Sequence, residues 1–426
     1  MARGGSVPQP PGEARCHSGE PGAAPQATPR SPRTFDPEAF AQALRGARDA
    51  SRPTESEDQR HLAAVELWTL LLGVVGVLLA IRGVVSPMSM LAIGYYKYGK
   101  FAVLAHHSLH GGWGRARRGW YAQGLYRRVV DWLDWIFPEA WIAEHNKVHH
   151  YRLNEDADPD FVERNTEVVH GWRIPLVAKY AVVAVQAATW KWFYYASNTL
   201  KLLHADRPHA PSKQELDEPI TLSGLAFGAA AGNPWYRALA LDFVVRVMAP
   251  PLLTQFLALP VLAGLLHGSG GTFPFCWAAL ANAVGAELVT NVHAFCTIVT
   301  NHAGEDLWWF DSACSADTAE FYLRAILGSS AYHAGSDLVD YFHGYLNYQG
   351  EHHAFPDLSP LHYQRLHPHF KRVCADHGVP YVQEPVWVRV KKTADVMVGA
   401  AKHKRLAGQA CAQPQRWMLP AGKAAE

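Results

Sequence analysis

The chain has 426 residues, 49% of them hydrophobic and 18% charged, and a formal net charge of +1; a soluble domain carries roughly 25% charged residues. This near-neutral balance excludes a nucleic-acid binder, whose basic surface would show in the count, and so high an apolar content excludes a largely disordered scaffold. The chain also holds 23 His and 15 Trp, the commonest metal ligand and a residue enriched at membrane interfaces.

In chain order, residues 1–35 are dominated by Pro, Gly, Ala and Ser and read as a disordered N-terminal arm. The arm lacks the apolar core of a secretory signal, and Glu13, Glu20 and its prolines speak against a transit peptide. Residues 36–61, with Arg45, Arg48, Arg52 and Arg60, predict a polar lead-in helix. Residues 62–390 form a membrane domain, and 391–426 a C-terminal tail. Leu62 to Ile81 is an apolar run long enough to cross a bilayer. A turn from Arg82 to Pro87 leads to a less apolar second segment, 88–107, which contains Lys97 and Lys100. Ile174 to Ala196 is interrupted by Lys179 and Lys191, while Ala238–Leu266 and Thr272–Thr300 are long apolar runs joined by a tight Gly-rich loop.

Positive charge orients these segments. Arg115, Arg117, Arg118, Arg127 and Arg128 follow the second run, whereas the loops after Ile81 and Leu266 carry almost none. The pattern predicts an all-α integral membrane protein: two transmembrane helical hairpins, about four spans, with both chain ends and a helical cap in the cytoplasm. Ile174–Ala196 is read as lying in the interface, because spanning would put two histidine clusters on opposite sides of the membrane.

Those clusters are His106-His107-Ser108-Leu109-His110, Glu144-His145-Asn146-Lys147-Val148-His149-His150, and Asn347-Tyr348-Gln349-Gly350-Glu351-His352-His353. Helical positions four apart share a face, so His106 with His110, and His145 with His149, can each grip one ion. An adjacent His150 or His353 is turned by about 100° and can reach a second ion or close the far side of the first. The six cysteines (Cys16, Cys276, Cys296, Cys314, Cys374, Cys411) are scattered, without a CxxC pair. Nitrogen ligation without thiolates suits iron, zinc or copper, and about eight imidazoles imply two ions.

These three boxes, of the forms HxxxH, HxxxHH and QxxHH, resemble those of the membrane fatty acid desaturases. The flanks of the third, Asp340 to Pro356, and the stretch Pro368 to Tyr381 resemble front-end and related bacterial acyl desaturases. The resemblance covers roughly 60–390 and implies two iron ions held by His106, His110, His145, His149, His150, His352 and His353, with Gln349 near the site. The family takes a further histidine from the end of its last membrane helix. His302 is the choice here, with His293 the runner-up, and His107 leaves the His106/His110 face. The family position of an Asn one turn before that histidine is Ile298. Glu144, Asp156, Asp158 and Glu351 flank the boxes as acceptors for ligand N–H groups, with Asp156 read as an ordinary solvated acid and Asp340 and Asn347 as further candidates.

Removing hydrogen from an unactivated methylene demands an oxidant that side chains cannot supply. The implied reaction is therefore desaturation of a lipid acyl chain, acyl-lipid or acyl-CoA, with O2 as co-substrate. Tyr95, Tyr96, Tyr98, Trp132, Trp135 and Trp141 would line an acyl tunnel or anchor the interface. The His-Pro-Gly-Gly signature of a fused cytochrome b5 is not found, which implies a separate electron donor, cytochrome b5-like or ferredoxin. The Arg115–Arg128 surface would dock an acidic donor or serve only to orient the chain. The boxes would face the cytoplasm, or the stroma of a plastid if the arm is a transit peptide. Three other readings compete: a di-iron lipid hydroxylase or oxygenase, a membrane zinc hydrolase or receptor, and a non-catalytic lipid-binding relative.

Overall fold

The computed structural model describes residues 34–112, 135–267 and 272–419. The arm up to residue 33, the Arg115–Arg128 surface with Trp132, most of the Gly-rich loop and residues 420–426 lie outside the described residues. The described chain is mostly helical, with two three-residue strands.

The polar lead-in is two pieces rather than one helix. Helix α1 (Pro37–Ala50) starts on an Asp36 cap with Pro37 in its first turn and buries Phe40, Ala41 and Leu44. After Pro53, Thr54 and Glu57 form a reciprocal capping box that opens α2 (Glu55–Ala80), so the membrane-directed helix already begins in the polar segment. On α2, Leu62, Val65, Thr69, Gly73, Gly76 and Ala80 recur every three or four residues and are buried. Leu67, Leu70, Leu71, Val74, Val75 and Leu78 are exposed around the rest of it. An apolar helix with so much exposed Leu and Val is stable only with lipid as its solvent.

Helix α3 (Pro87–Tyr98) runs antiparallel to α2 and continues through a π-helical stretch, Gly99–Ala105, into His106–Leu109. Its backbone meets α2 closely: a Cβ at Gly76 would lie 2.6 Å from Ile93 Cγ1 and 2.8 Å from the Ile93 nitrogen. The Ser89 hydroxyl donates to the Gly76 carbonyl at 2.9 Å. Helix α4 (Leu176–Trp190) continues as far as Lys201. Then come α5, spanning Pro234–Leu266, and α6 (Thr272–Thr297), which packs on α3, α4 and α5.

Among the described residues, three helices are long and apolar enough to cross a membrane: Glu55–Ala80, Pro234–Leu266 and Phe273–Asn301. Segment 88–107 falls short of that standard. It lies between α2 and α6, and Ile93, Tyr98, Phe101 and Ala102 are buried against protein. The turn between α2 and α3 is tied to α6 by Asn282, which accepts from Ser86 N–H at 2.8 Å and donates to the Val84 carbonyl at 2.9 Å. Inside the bundle, Lys97 pairs with Glu287 and donates to Gln255 at 2.7 Å, so all three partners of this polar contact come from different helices.

The remaining segments form a cap over one end of the bundle. It contains α7 (Ala319–Leu327), α8 (Gln349–Ala354), α9 (Pro360–His377) and α10 (Val386–Met397). Strand β1 (Trp308–Phe310) pairs in parallel with β2 (Lys404–Leu406). The stretch from 391 onward, set apart from the sequence as a tail, is therefore packed through residue 419. Trp417 is buried and meets Phe35 edge-on at 4.9 Å, which ties the two ends of the described chain together.

Gly76→Leu should force α2 and α3 apart, because beyond the Ile93 side chain the obstacles are backbone atoms of Ile93 and Ala92, which cannot rotate away. A cost of about 1–3 kcal/mol is expected for such overpacking. A clearly lower unfolding midpoint in detergent is the expected result, and an unchanged one would contradict the close packing of these helices.

Candidate metal centre

Each histidine cluster reaches the cap by a different local route. His106 and His110 sit one turn apart where the continuation of α3 ends, with ring centroids 5.1 Å apart. The second cluster does not lie on one helix. His145 belongs to a π-turn, Ile142–Asn146, and His149 and His150 to a 3₁₀ turn, His149–Tyr151. His352 and His353 stand on α8, introduced by consecutive left-handed residues, Gly344 at φ 68° and Tyr345 at φ 58°. Gly344 has the conformational freedom this turn requires, and a Cβ there would also lie 2.8 Å from the Tyr98 hydroxyl.

The eight imidazoles gather into two adjoining nests. Nitrogens of His106, His110, His145, His150 and His352 lie within 4.8 Å of one another, as do those of His149, His302 and His353. In the first nest, His106 Nε2 is 3.0 Å from His352 Nε2 and 3.4 Å from His145 Nε2, while His150 and His145 face each other at 3.2 Å. In the second, His353 and His302 face each other at 3.2 Å. The nests abut where His150 stacks on His353 at 4.3 Å.

Adjacent histidines part company, the first of the two alternatives their angular offset leaves open: His150 and His352 go to the first nest, His149 and His353 to the second. The expected His145/His149 pair is divided between the two. The π-turn and the 3₁₀ turn break the helix between them, yet the two rings stay close enough to form a third group of their own. Both still approach a carboxylate of Asp160, a residue sequence reasoning missed.

Electrostatics keep these rings in the ligating form. Burial, reinforced by neighbouring imidazoles, drives His145, His150, His352 and His353 well below the usual histidine range, leaving neutral rings with free lone pairs. His149 is the exception: burial lowers it, but Asp158 more than compensates and raises it. Asp158 accepts from His149 Nδ1 at 2.8 Å and from the backbone N–H groups of Asn154 and Asp160 at 2.8 and 2.9 Å. Burial and carboxylate neighbours push Glu144 well above the usual carboxylate range, and burial pushes Asp160 up to about 6.

The donor set fits metal ions. Pairwise hydrogen bonds cannot satisfy five converging imidazole nitrogens, and His110 Nε2 is buried without a partner among the described residues. Cations shared within each nest would satisfy the lone pairs, and the all-nitrogen set suits iron, copper or zinc.

Behind the nests, Gln349 touches the His302 ring at 2.8 Å and accepts from Asn301 at 3.0 Å. Glu351 accepts from His367 and Tyr381, each at 2.7 Å, and Asp340 accepts from Asn347 and Tyr348, each at 2.6 Å. These last contacts brace the backbone of the third box rather than the eight rings. Asp156 is exposed and accepts from Trp309. His293 turns away to the Phe342 carbonyl, and His107 faces the Gly344 carbonyl at 3.2 Å.

Tyr98, Trp135 and Trp141 are buried in protein, so they are not interface anchors. Trp141 stacks on His145 at 4.3 Å and donates to the Tyr195 hydroxyl at 2.6 Å. Tyr363, 3.1 Å from His352 Nδ1 and bonded to the Phe355 carbonyl, was invisible in the sequence because nothing local marks its contact.

A profile of the fatty acid desaturase family matches residues 83–385, more than two thirds of the chain. The chain belongs to that family. The bovine fatty acid desaturase 3 is 36% identical over 73 residues, 16% of each chain. A mouse fatty acid desaturase 2-like protein is 43% identical over 47 residues, 11% of this chain and 10% of the relative. The sn-1 linoleoyl-lipid 6-desaturase of Arthrospira platensis is 20% identical over 288 residues, 65% of this chain and 67% of its own. The first two alignments thus span well under two thirds of those relatives. No solved structure matches the chain.

Asp158→Ala removes the acceptor of two buried backbone N–H groups and of His149. A buried donor left without a partner costs about 1–3 kcal/mol. A fall in the unfolding midpoint on the order of 5 °C or more is expected; a midpoint equal to wild type would show that Asp158 does not hold this loop.

Proposed function

We propose that this protein is a membrane di-iron acyl desaturase. The observation that carries the reading is the gathering of eight imidazoles from three boxes and one helix end into two adjoining buried nests. His106, His110, His145, His150 and His352 would hold one ion; His149, His302 and His353, with Gln349 beside them, would hold the other. Two irons there would supply, with O2 and two electrons, the oxidising power to take hydrogen from an acyl methylene. Asp158 and Tyr363 hold the outer nitrogens of His149 and His352, which points their inner nitrogens inward. The amide of Gln349 lies against His302 Nε2, so an ion held at His302 would take the place of that contact.

The continuation of α3 serves as a fourth span, completing two hairpins with the cap on the cytoplasmic side. Helix α4 lies in the interface. Both its ends bind cap segments, Tyr180 to Asp395 and Lys201 to the Glu218 carbonyl, while its middle meets α6 at Asn291, near the cap end of that helix. The substrate is a lipid acyl chain entering from the bilayer, and a separate cytochrome b5-like protein or ferredoxin supplies the electrons. The QxxHH box and the named 6-desaturase relative favour front-end regiochemistry.

Expression in a host of simple fatty-acid profile tests this, with wild type beside His352→Ala. A new unsaturated species made only by wild type is expected, together with about two irons per purified chain. A hydroxylated product would replace desaturase by hydroxylase, and a single zinc would overturn the di-iron reading. His149→Ala should lose iron while inserting normally; full iron content in that variant would remove His149 from the ligand set.

A further inference from the structure

The family match ends at residue 385, yet the chain beyond it returns to the second nest. His302, the one proposed ligand outside the boxes, follows a short 3₁₀ turn, Val299–Asn301, and has non-helical backbone angles. No helical ladder therefore fixes its direction. No side chain bonds its Nδ1 among the described residues, in contrast to His149 with Asp158 and His352 with Tyr363; its ring meets the backbone of Gly328 instead.

What grips this position is the backbone, and the grip comes from residues 386–405. His403 is buried, and its Nε2 donates to the His302 carbonyl at 3.0 Å. The next carbonyl, that of Ala303, accepts from Arg389 at 2.9 Å and Thr393 at 3.2 Å. Arg389 is anchored by Asp306. His403 is fixed in turn by Glu163, which accepts from both its Nδ1 and its backbone N–H at 2.8 Å. Glu163 follows the second box, so this contact closes a loop from that box, through the residue before β2, to His302.

We propose that His403 is a positioning residue for the second metal nest, setting through the His302 carbonyl the direction in which the His302 imidazole enters it. The inference rests on the di-iron reading above. The two nests differ in their dependence on such a device. The first has five imidazoles and tolerates slack in one, whereas the second has three, so misdirecting one weakens the whole set.

The test is metal retention by the full-length protein purified in detergent and loaded with iron, for wild type, His403→Ala, His403→Gln and His302→Ala. Glutamine keeps an N–H donor at the reach of Nε2 while giving up the side-chain bond to Glu163. Wild type should hold about two irons after dialysis against a chelator; His403→Ala about one, like His302→Ala; and His403→Gln about two. The second iron should leave His403→Ala about 10–100-fold faster than wild type. Each variant should elute as a single species.

Two irons held as firmly by His403→Ala as by wild type would overturn the proposal and leave the di-iron reading standing. Loss of both irons from His403→Ala would reduce His403 to a general structural role and also overturn it. Equal loss in the Ala and Gln variants would remove the donor argument. Failure of wild type to bind iron would instead defeat the di-iron reading, and the positioning role with it.

Discussion

Eight imidazoles taken out of water toward two points constitute the constraint on which the rest of this structure depends. Each buried ring forfeits its hydrogen bonds to solvent, and a buried polar atom left without a partner costs about 1–3 kcal/mol. Neutral rings cannot repair this among themselves, because each carries one donor and one acceptor while many acceptor nitrogens face inward. A shared cation is the physical solution, and it explains features that would otherwise look wasteful. The left-handed pair at Gly344 and Tyr345, the Asp340 brace and the buried Glu351 contacts all cost free energy or ordering, and all hold the third box where its rings converge.

The bundle supplies a rigid floor for this arrangement by reversing the usual placement of polar groups. Its outer face is Leu and Val, while polar side chains inside join the helices: Thr69 to Tyr341, Asn282 to the α2–α3 turn, and Lys97 to Glu287 and Gln255. Among hydrocarbon there is little hydrophobic force to press helices together, so close backbone contact at glycine and interior hydrogen bonds perform that task. The same logic accounts for the modest hydropathy of the helix that carries the first box. It is surrounded by other helices, so it faces little lipid and is free to carry Lys97, Lys100 and Tyr98.

Much of this was legible in the sequence because it is locally encoded. The turn ending at Pro87, the long apolar runs and the three clusters are patterns within a few residues, and the 100° step between neighbours allows the two nests that His352 and His353 enter. Where the local pattern was irregular, the reading failed. The break between Asn146 and His149 sends two histidines of one box to different nests, though both still meet beside Asp160, and the stop at Pro53 splits the lead-in segment. Contacts between distant parts of the chain left no trace at all. Tyr363 and His403 are ordinary residues until the fold places one against His352 and the other against His302.

That difference in legibility bears on how such a site varies. The boxes must present many nitrogens at once, so their residue types and spacing are tightly specified and stand out in any sequence. The groups that aim those nitrogens need only offer a hydrogen-bonding atom at the right place, which many residues on many segments can do. The first nest is over-determined, with rings from all three boxes; the second takes one box residue from each of two boxes and a third ring from a helix end held by the chain beyond the family match. On the di-iron reading proposed above, changes in that outer segment would therefore alter the second ion while every box stays intact, and the three-box pattern alone would not determine how firmly both ions are held.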